Sequence, residues 1–279
     1  MITIKEYLLS KNKNHLKGTK VVDTNEELYD LVRYEIEQNG KDADLNFIDV
    51  SHITTMTQMF KDTDFCGNVS DWDMSNVNSA YMMFYNCENF NCDISQWNLS
   101  NLETGYYMFY GCDIFDCNVG NWKIKKLENA RCMFQMCYEF KGKGIEKWNV
   151  KNLRDTQLMF ATCRKFNPNI SKWNIINIED ARGMFLDCYI FNQDLGNWNI
   201  EKLYEAENMF LHCRSFKGKG LDKWNPRKIK SMNSMFEDCP ELDVDLHDWL
   251  FPCLDLSKAK NVFTGCPNMY TWKKPINWR

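Results

Sequence analysis

Apolar residues recur along this chain on two nested periods, a short one of three to four residues and a long one of 25 or 26. Between Phe90 and Phe115, the residues Ile94, Trp97, Leu99 and Leu102 read apolar-x-x-apolar-x-apolar-x-x-apolar, with polar residues between them. Trp97 and Leu99 stand two apart, so an extended backbone turns both to one face and Gln96, Asn98 and Ser100 to the other. Leu102, Gly105, Met108, Phe109 and Cys112 then follow at three- and four-residue steps, the period of a short helix with one apolar stripe. The pattern therefore predicts a unit of short strand, turn, helical segment and a loop back through Phe115.

The unit repeats in register. Tryptophan stands at Trp72, Trp97, Trp122, Trp148, Trp173, Trp198, Trp224 and Trp249. A Met-Phe pair ends at Phe84, Phe109, Phe134, Phe160, Phe185, Phe210 and Phe236, and a cysteine follows three residues later at Cys87, Cys112, Cys137, Cys163, Cys188, Cys213 and Cys239. A period of this length marks a solenoid, whose units bury their apolar face only against their neighbours. The fold class expected is a leucine-rich-repeat-like α/β repeat solenoid, with short parallel strands on one face, short helical segments on the other, about eight coils and terminal caps. At about 4.8 Å per stacked strand the rod would be roughly 40 Å long. Trp, Met, Phe and Cys form inward ladders in this reading. Asn98, Asn149, Asn174, Asn199 and Asn225, each just after a tryptophan, would hydrogen-bond as stacked amides along the rod.

The ends fall outside the register. Residues 1–45 are read as a capping segment: Thr24 and Glu27 make a capping box ahead of Leu28, Leu31, Val32 and Ile36, and Gly40 supplies the stop. Residues 46–255 are the solenoid, with an imperfect first coil from Ile53 to Phe65 in which Thr63 replaces the ladder cysteine. Residues 256–279 hold a degraded echo, Val262-Phe263 with Cys266, and a tail through Trp272 and Trp278 expected to fold over the last coil.

Composition adds limits. With 34 Lys+Arg against 38 Asp+Glu the net charge is −4, which gives no overall attraction to nucleic acid. There is no run of 18 apolar residues, so no membrane insertion is expected. Met1 to Lys13 lacks a cleavage-type segment, and 13 cysteines is an odd number concentrated at one repeat position. An intracellular, cytoplasmic chain with reduced thiols is the expectation, with a surface or secreted location as the alternative.

The residues Phe90-Asn91-x-Asp93-Ile94-Ser95-x-Trp97-Asn98-x-Ser100-Asn101-Leu102, followed by Met108-Phe109 and Cys112, resemble the repeat of the BspA-like leucine-rich-repeat family. The resemblance covers about residues 46–250. It implies a parallel solenoid with a binding role, because many relatives are bacterial or protist surface proteins that attach to host components. A part in host–parasite or viral–host interaction is what the resemblance suggests.

Candidate binding residues are those that the ladders leave free to vary. Tyr81 and Tyr85, four apart, recur as Tyr106 and Tyr110 one coil on, with Tyr107 beside them. On a helical segment these rings would form a square on an exposed face, and tyrosine is favoured in binding hot spots. The bland alternative is that they cover the adjacent coil edge. The face around the tryptophans carries Lys123, Lys125, Lys147, Lys151 and Lys172, while the first coil has Asp71, Asp73 and Ser75 there. Such a face would steer an acidic protein or a phosphate-bearing ligand, or be a solvated surface. Two coils are one residue longer and carry Lys141-Gly142-Lys143-Gly144 and Lys217-Gly218-Lys219-Gly220. Glycine permits positive φ there, so Lys141, Lys143, Lys217 and Lys219 are candidate anion ligands, with a tolerated bulge as the alternative.

No catalytic constellation emerges. The histidines His15, His52, His212 and His247 are scattered, and no nucleophile elbow, HExxH or P-loop is present. Cys87 with Cys92 and Cys112 with Cys117 have zinc-like spacing, but half of each pair belongs to the inward ladder, so neither metal nor cofactor is expected. The function expected is non-enzymatic recognition by a monomer that binds a protein. A structural spacer and an anion- or glycan-binding module are the alternatives.

Overall fold

The computed structural model describes residues 20–276. Trp278, His15 and the segment Met1 to Lys13 lie outside the described residues. The described residues open with β1 (Lys20–Val21), α1 (Asn25–Asn39) and β2 (Ile48–Asp49), β1 pairing parallel to β2. The Thr24 hydroxyl accepts the Glu27 N–H at 3.2 Å, and Gly40, at φ 91°, donates to the Ile36 carbonyl. Leu28, Leu31 and Val32 enter the same core as Ile53, Met56 and Phe60.

From there the chain is a repeat solenoid with little helix or strand. The coils are built from tight turns. In one coil, Trp97 N–H donates to Ile94, Leu102 to Leu99, Met108 to Gly105, Cys112 to Phe109 and Phe115 to Cys112, all at 3.0–3.2 Å between residues three apart. Each buried residue thus closes a turn onto an earlier buried one, and the apolar-x-x-apolar spacing is the turn itself.

This corrects three expectations. The segment from Leu102 to Cys112 is not helical. Tyr107 and Gly111 take φ of 58° and 68°, and every coil repeats this pair of left-handed corners, as at Cys132 and Met136 or Leu158 and Thr162. A turn with positive φ at its third residue is what a type II turn requires, whereas a right-handed helix excludes it. Three-residue apolar steps occur in both, so the spacing alone does not separate them. Nor does a strand run through Trp97 and Leu99. Asp93 accepts from the Ser95 N–H at 3.0 Å and Asn98 from the Ser100 N–H at 3.3 Å. These side chains fold the backbone locally and so remove it from any sheet. Besides one bridge from Asp44 to Asn68, the parallel bridges fall at Thr55, Ser79, Thr104, Asn129, Asp155, Asp180, Glu205 and Ser231, one such residue per coil. The expected amide ladder is likewise replaced by turns within each coil, at Asn98, Asn149, Asn174 and Asn199.

Between coils the left-handed corners carry the bonding. Cys132, Phe134 and Met136 donate their N–H groups to Gln157, Met159 and Ala161 of the next coil at 2.8–2.9 Å. Two side-chain ladders run in the opposite direction. Every tryptophan from Trp72 to Trp249 donates its indole N–H to a backbone carbonyl of the preceding coil, at 2.9–3.0 Å. Every ladder thiol from Cys87 to Cys266 donates to the phenylalanine carbonyl of the preceding coil, at 2.9–3.1 Å. Thr63 stands in the first coil, which no ladder phenylalanine precedes, and its hydroxyl closes onto Phe60 of its own coil at 2.7 Å. The phenylalanines stack face to face, with centroids 5.0–5.9 Å apart from Phe60 through Phe263. At the far end Leu246 N–H donates to the Lys273 carbonyl, which lays the segment around Thr271–Lys273 against the Trp249 coil.

The turn geometry predicts how one corner responds to substitution. Ser234 has φ 53° and its side chain makes no hydrogen bond among the described residues. Ser234→Val is expected to lose ~1–2 kcal/mol in urea unfolding, because a β-branched residue resists the left-handed region. Ser234→Asn should be neutral. A helical segment would tolerate both, so equal stability of the two variants contradicts the turn.

The thiol ladder predicts alkaline lability. Burial raises every ladder cysteine: Cys87 and Cys266 are pushed up to about 11, and Cys112, Cys137, Cys188 and Cys213 well above the ordinary range. In the unfolded chain these thiols ionise near the usual value of about 8.5. Stability from this source is complete below that value and is lost as pH rises from there towards the folded values. The slope is roughly 1.4 kcal/mol per thiol per pH unit. Denaturation midpoints should hold to about pH 8 and fall steeply by about pH 10, and an unchanged midpoint would contradict a neutral, buried ladder.

Candidate interaction surface

The tyrosines do come together, although not on a helix. The repeat register stacks Tyr81 on Tyr106 at 5.4 Å and Tyr85 on Tyr110 at 4.6 Å, the second pair nearly parallel. Tyr107 locks the group: its ring lies 4.3 Å from Tyr106 and meets Tyr85 and Tyr110 edge-on at 5.6 and 5.3 Å. Tyr107 occupies a left-handed corner, which turns it inward among the other four. All five rings are half-buried.

Charged groups border the patch. The Arg131 guanidinium lies 5.4 Å over Tyr106, and the Lys61 ammonium 5.7 Å over Tyr85. Arg131 Nε is buried without a hydrogen-bond partner. Cys132 sits behind Tyr107, and burial pushes its thiol up to about 11. Burial, followed by the Tyr106 hydroxyl, raises Tyr107; burial, then the neighbouring Tyr85, raises Tyr110. These rings stay neutral through the physiological range and present π faces with hydroxyl donors.

Lys123, Lys125, Lys147, Lys151 and Lys172 are all exposed and make no ion pair among the described residues. They line a face of turns, since no sheet is present there. Asp71 and Asp73, in the same repeat positions, are exposed at the N-terminal end of that face.

The inserted tetrapeptides need their glycines. Gly144 and Gly220 have φ of 89° and 88°, and a Cβ on either would meet the backbone of Gly120 or Gly196 at 2.5 and 2.2 Å. Short 3-10 turns follow, Ile145–Lys147 and Leu221–Lys223. Lys141 pairs with Asp116, and Lys219 lies 3.1 Å from Asp194. Lys143 and Lys217 are exposed without an ion pair among the described residues, so they alone hold free charge for an anion.

One feature was missed in reading the sequence. Directly after the ladder cysteine, Tyr138, Arg164, Tyr189 and Arg214 alternate along the rod, with cation–ring distances of 4.6–5.9 Å. The signal was present in the register, one position beyond a landmark already located.

A family model described as "Mycoplasma protein of unknown function, DUF285" matches residues 31–143 and again 131–249. No curated protein matches the chain. Among solved structures, a leucine-rich repeat protein from Bacteroides ovatus is 12% identical over 68% of this chain and 80% of its own, with a TM-score of 0.22. The functional domain of InlJ from Listeria monocytogenes, described as including a cysteine ladder, is 12% identical over 78% of this chain and 59% of its own, with a TM-score of 0.17.

Proposed function

The chain belongs to the DUF285 family, and within it we propose that the protein is a non-enzymatic recognition module that binds another protein through its solenoid surface. The patch of Tyr81, Tyr85, Tyr106, Tyr107 and Tyr110 supplies the affinity in this reading, and the lysine-bearing face supplies steering. The observation that carries it is the mutual packing of five half-exposed rings at positions that other coils fill with unrelated residues. A ladder position serves the core and recurs from coil to coil; these rings are confined to two adjacent coils. Aromatic anchors held in place by their neighbours lose little entropy on binding, which is why tyrosine dominates hot spots. The α1 end and the Thr271–Lys273 segment act as terminal caps on about eight coils, and the reduced thiols suit an intracellular setting. A host-interaction role is the form of recognition that the repeat resemblance favours.

The test is capture from a native lysate by the wild-type protein and by a variant combining Tyr81→Ala, Tyr85→Ala, Tyr106→Ala and Tyr110→Ala, both checked for folding by near-ultraviolet circular dichroism. One protein should be retained by wild type and lost, by ~100-fold or more in affinity, from the variant. Equal retention by both removes the patch from the account, and retention of nothing favours the structural-spacer reading.

The five unpaired lysines support a second reading, an anion- or glycan-binding face. It predicts retention on heparin despite the net charge of −4, released by raising salt and abolished by Lys123→Glu with Lys151→Glu. Passage through heparin at low salt would eliminate it.

A further inference from the structure

The position after the ladder cysteine forms a column with its own charge order. Asp64 follows Thr63, and the later coils place Glu88, Asp113, Tyr138, Arg164, Tyr189 and Arg214. Backbone bonds stack three of these steps: Ile114 N–H donates to Glu88 at 3.4 Å, Glu139 to Asp113 at 3.1 Å and Ser215 to Tyr189 at 3.1 Å. Arg164 bridges Tyr138 and Tyr189 through its ring contacts, and Thr63, beside Asp64, lies 3.7 Å from the Cys87 thiol. The column is acidic for its first three levels, aromatic at its centre, and cationic beyond.

Neither end is neutralised from within. Among the described residues, Asp64, Glu88 and Asp113 make no ion pair and no side-chain hydrogen bond. Burial, then the like charge of Glu88, raises the Asp113 carboxyl, so this end gains from an added cation. Arg164 lies between Tyr138 at 4.7 Å and Tyr189 at 5.9 Å, and Arg214 stacks on Tyr189 at 4.6 Å. Both arginines are exposed and carry no ion pair among the described residues. Stacking holds each guanidinium plane while its in-plane N–H groups remain open to a carboxylate.

The order of the column is complementary to its own reverse. One coil either side of Tyr138 stand Asp113 and Arg164; two coils away, Glu88 and Tyr189; three coils away, Asp64 and Arg214. Turned end for end, the column therefore sets carboxylate against guanidinium twice and carboxylate against phenol once, on each side of the centre. That is the condition an isologous two-fold contact imposes. An independent observation marks the same face. Between Trp72 and Trp249, the two large apolar side chains left exposed are Ile114 (44%) and Ile190 (47%), and each directly follows the column.

We propose that this column is a self-association face, against which a second copy of the chain packs antiparallel about a two-fold axis through Tyr138. Asp64 then meets Arg214 of the other copy, Asp113 meets Arg164, and the Tyr189 hydroxyl donates to Glu88. Ile114 and Ile190 are covered at the margin. This departs from the monomer expected from the sequence, and it goes beyond the recognition reading without depending on the tyrosine patch.

Sedimentation velocity of the full chain tests it without any other protein. Wild type should reach twice the chain mass at micromolar concentration and return towards monomer as salt rises from about 0.05 to about 0.5 M. Arg164→Asp with Arg214→Asp leaves the column only acidic charges; Asp64→Arg with Asp113→Arg makes it basic at every charged level but Glu88. Each variant alone should be monomeric, with a dissociation constant raised ~100-fold or more. Mixed in equal amounts, the two should recover the dimer. A wild type that stays monomeric up to ~100 µM at low salt overturns the proposal, as does a dimer indifferent to both variants. Failure of the mixture to associate also overturns it, provided both variants keep the wild-type circular dichroism. Should a variant misfold, the wild-type salt series decides: a dimer mass unchanged across it contradicts a charge-ordered face.

Discussion

The structure depends on one hydrogen-bonding constraint: the left-handed corners of each coil must send their N–H groups into the carbonyls of the next. Cys132, Phe134 and Met136 illustrate it, donating to Gln157, Met159 and Ala161. A left-handed corner costs an ordinary residue about 1 kcal/mol or more. Leu158 and Met136 accept that conformation, at φ 55° and 62°, because it aligns alternate amides along the rod while the others close tight turns. These bonds satisfy amides inside a chain with so little helix or sheet, which lets it bury much apolar surface.

Register follows from those bonds, and the ladders follow from register. Once coil is locked to coil, the same residue of each repeat falls in one column. Inside, the columns become stacked phenylalanines, indoles and thiols; the last two also donate to carbonyls of the preceding coil that the turns leave with spare acceptor capacity. Outside, the columns are free of the core and can hold any sequence of side chains. The tyrosine patch, the Tyr–Arg alternation and the lysine face are all such columns. Solenoid surfaces are programmable in this sense: a partner reads the order of residues along a column, and neighbouring coils set the spacing.

Much of this was legible from periodicity. The 25- or 26-residue step identified the repeat, and Trp97, Phe109 and Cys112 were recognisable as inward positions because they recur. The conformation linking them was not. Apolar residues three apart suit a helix and a chain of turns alike, and what decides between them here is inter-coil bonding, which has no trace in one repeat. The Asx residues were a usable signal. Asp93-x-Ser95 and Asn98-x-Ser100 are turn formers, and they stand where a strand was expected. Tyr81, Tyr85, Tyr106 and Tyr110 were placed together correctly for a reason that survives the change of conformation, since equal repeat positions stack whatever the coil is made of. The Tyr138–Arg164–Tyr189–Arg214 column escaped notice because its residue type alternates, and an alternating column looks like variation when coils are compared one by one.

Through-hydrogen-bond scalar couplings, measured by NMR on the deuterated protein, test the governing constraint most directly because they identify the acceptor of each amide. The account predicts couplings from the amides of Cys132, Phe134 and Met136 to the carbonyl carbons of Gln157, Met159 and Ala161, one coil ahead. Couplings from those amides to carbonyls a helical turn earlier in their own coil would contradict it, and with it the register on which every surface column rests.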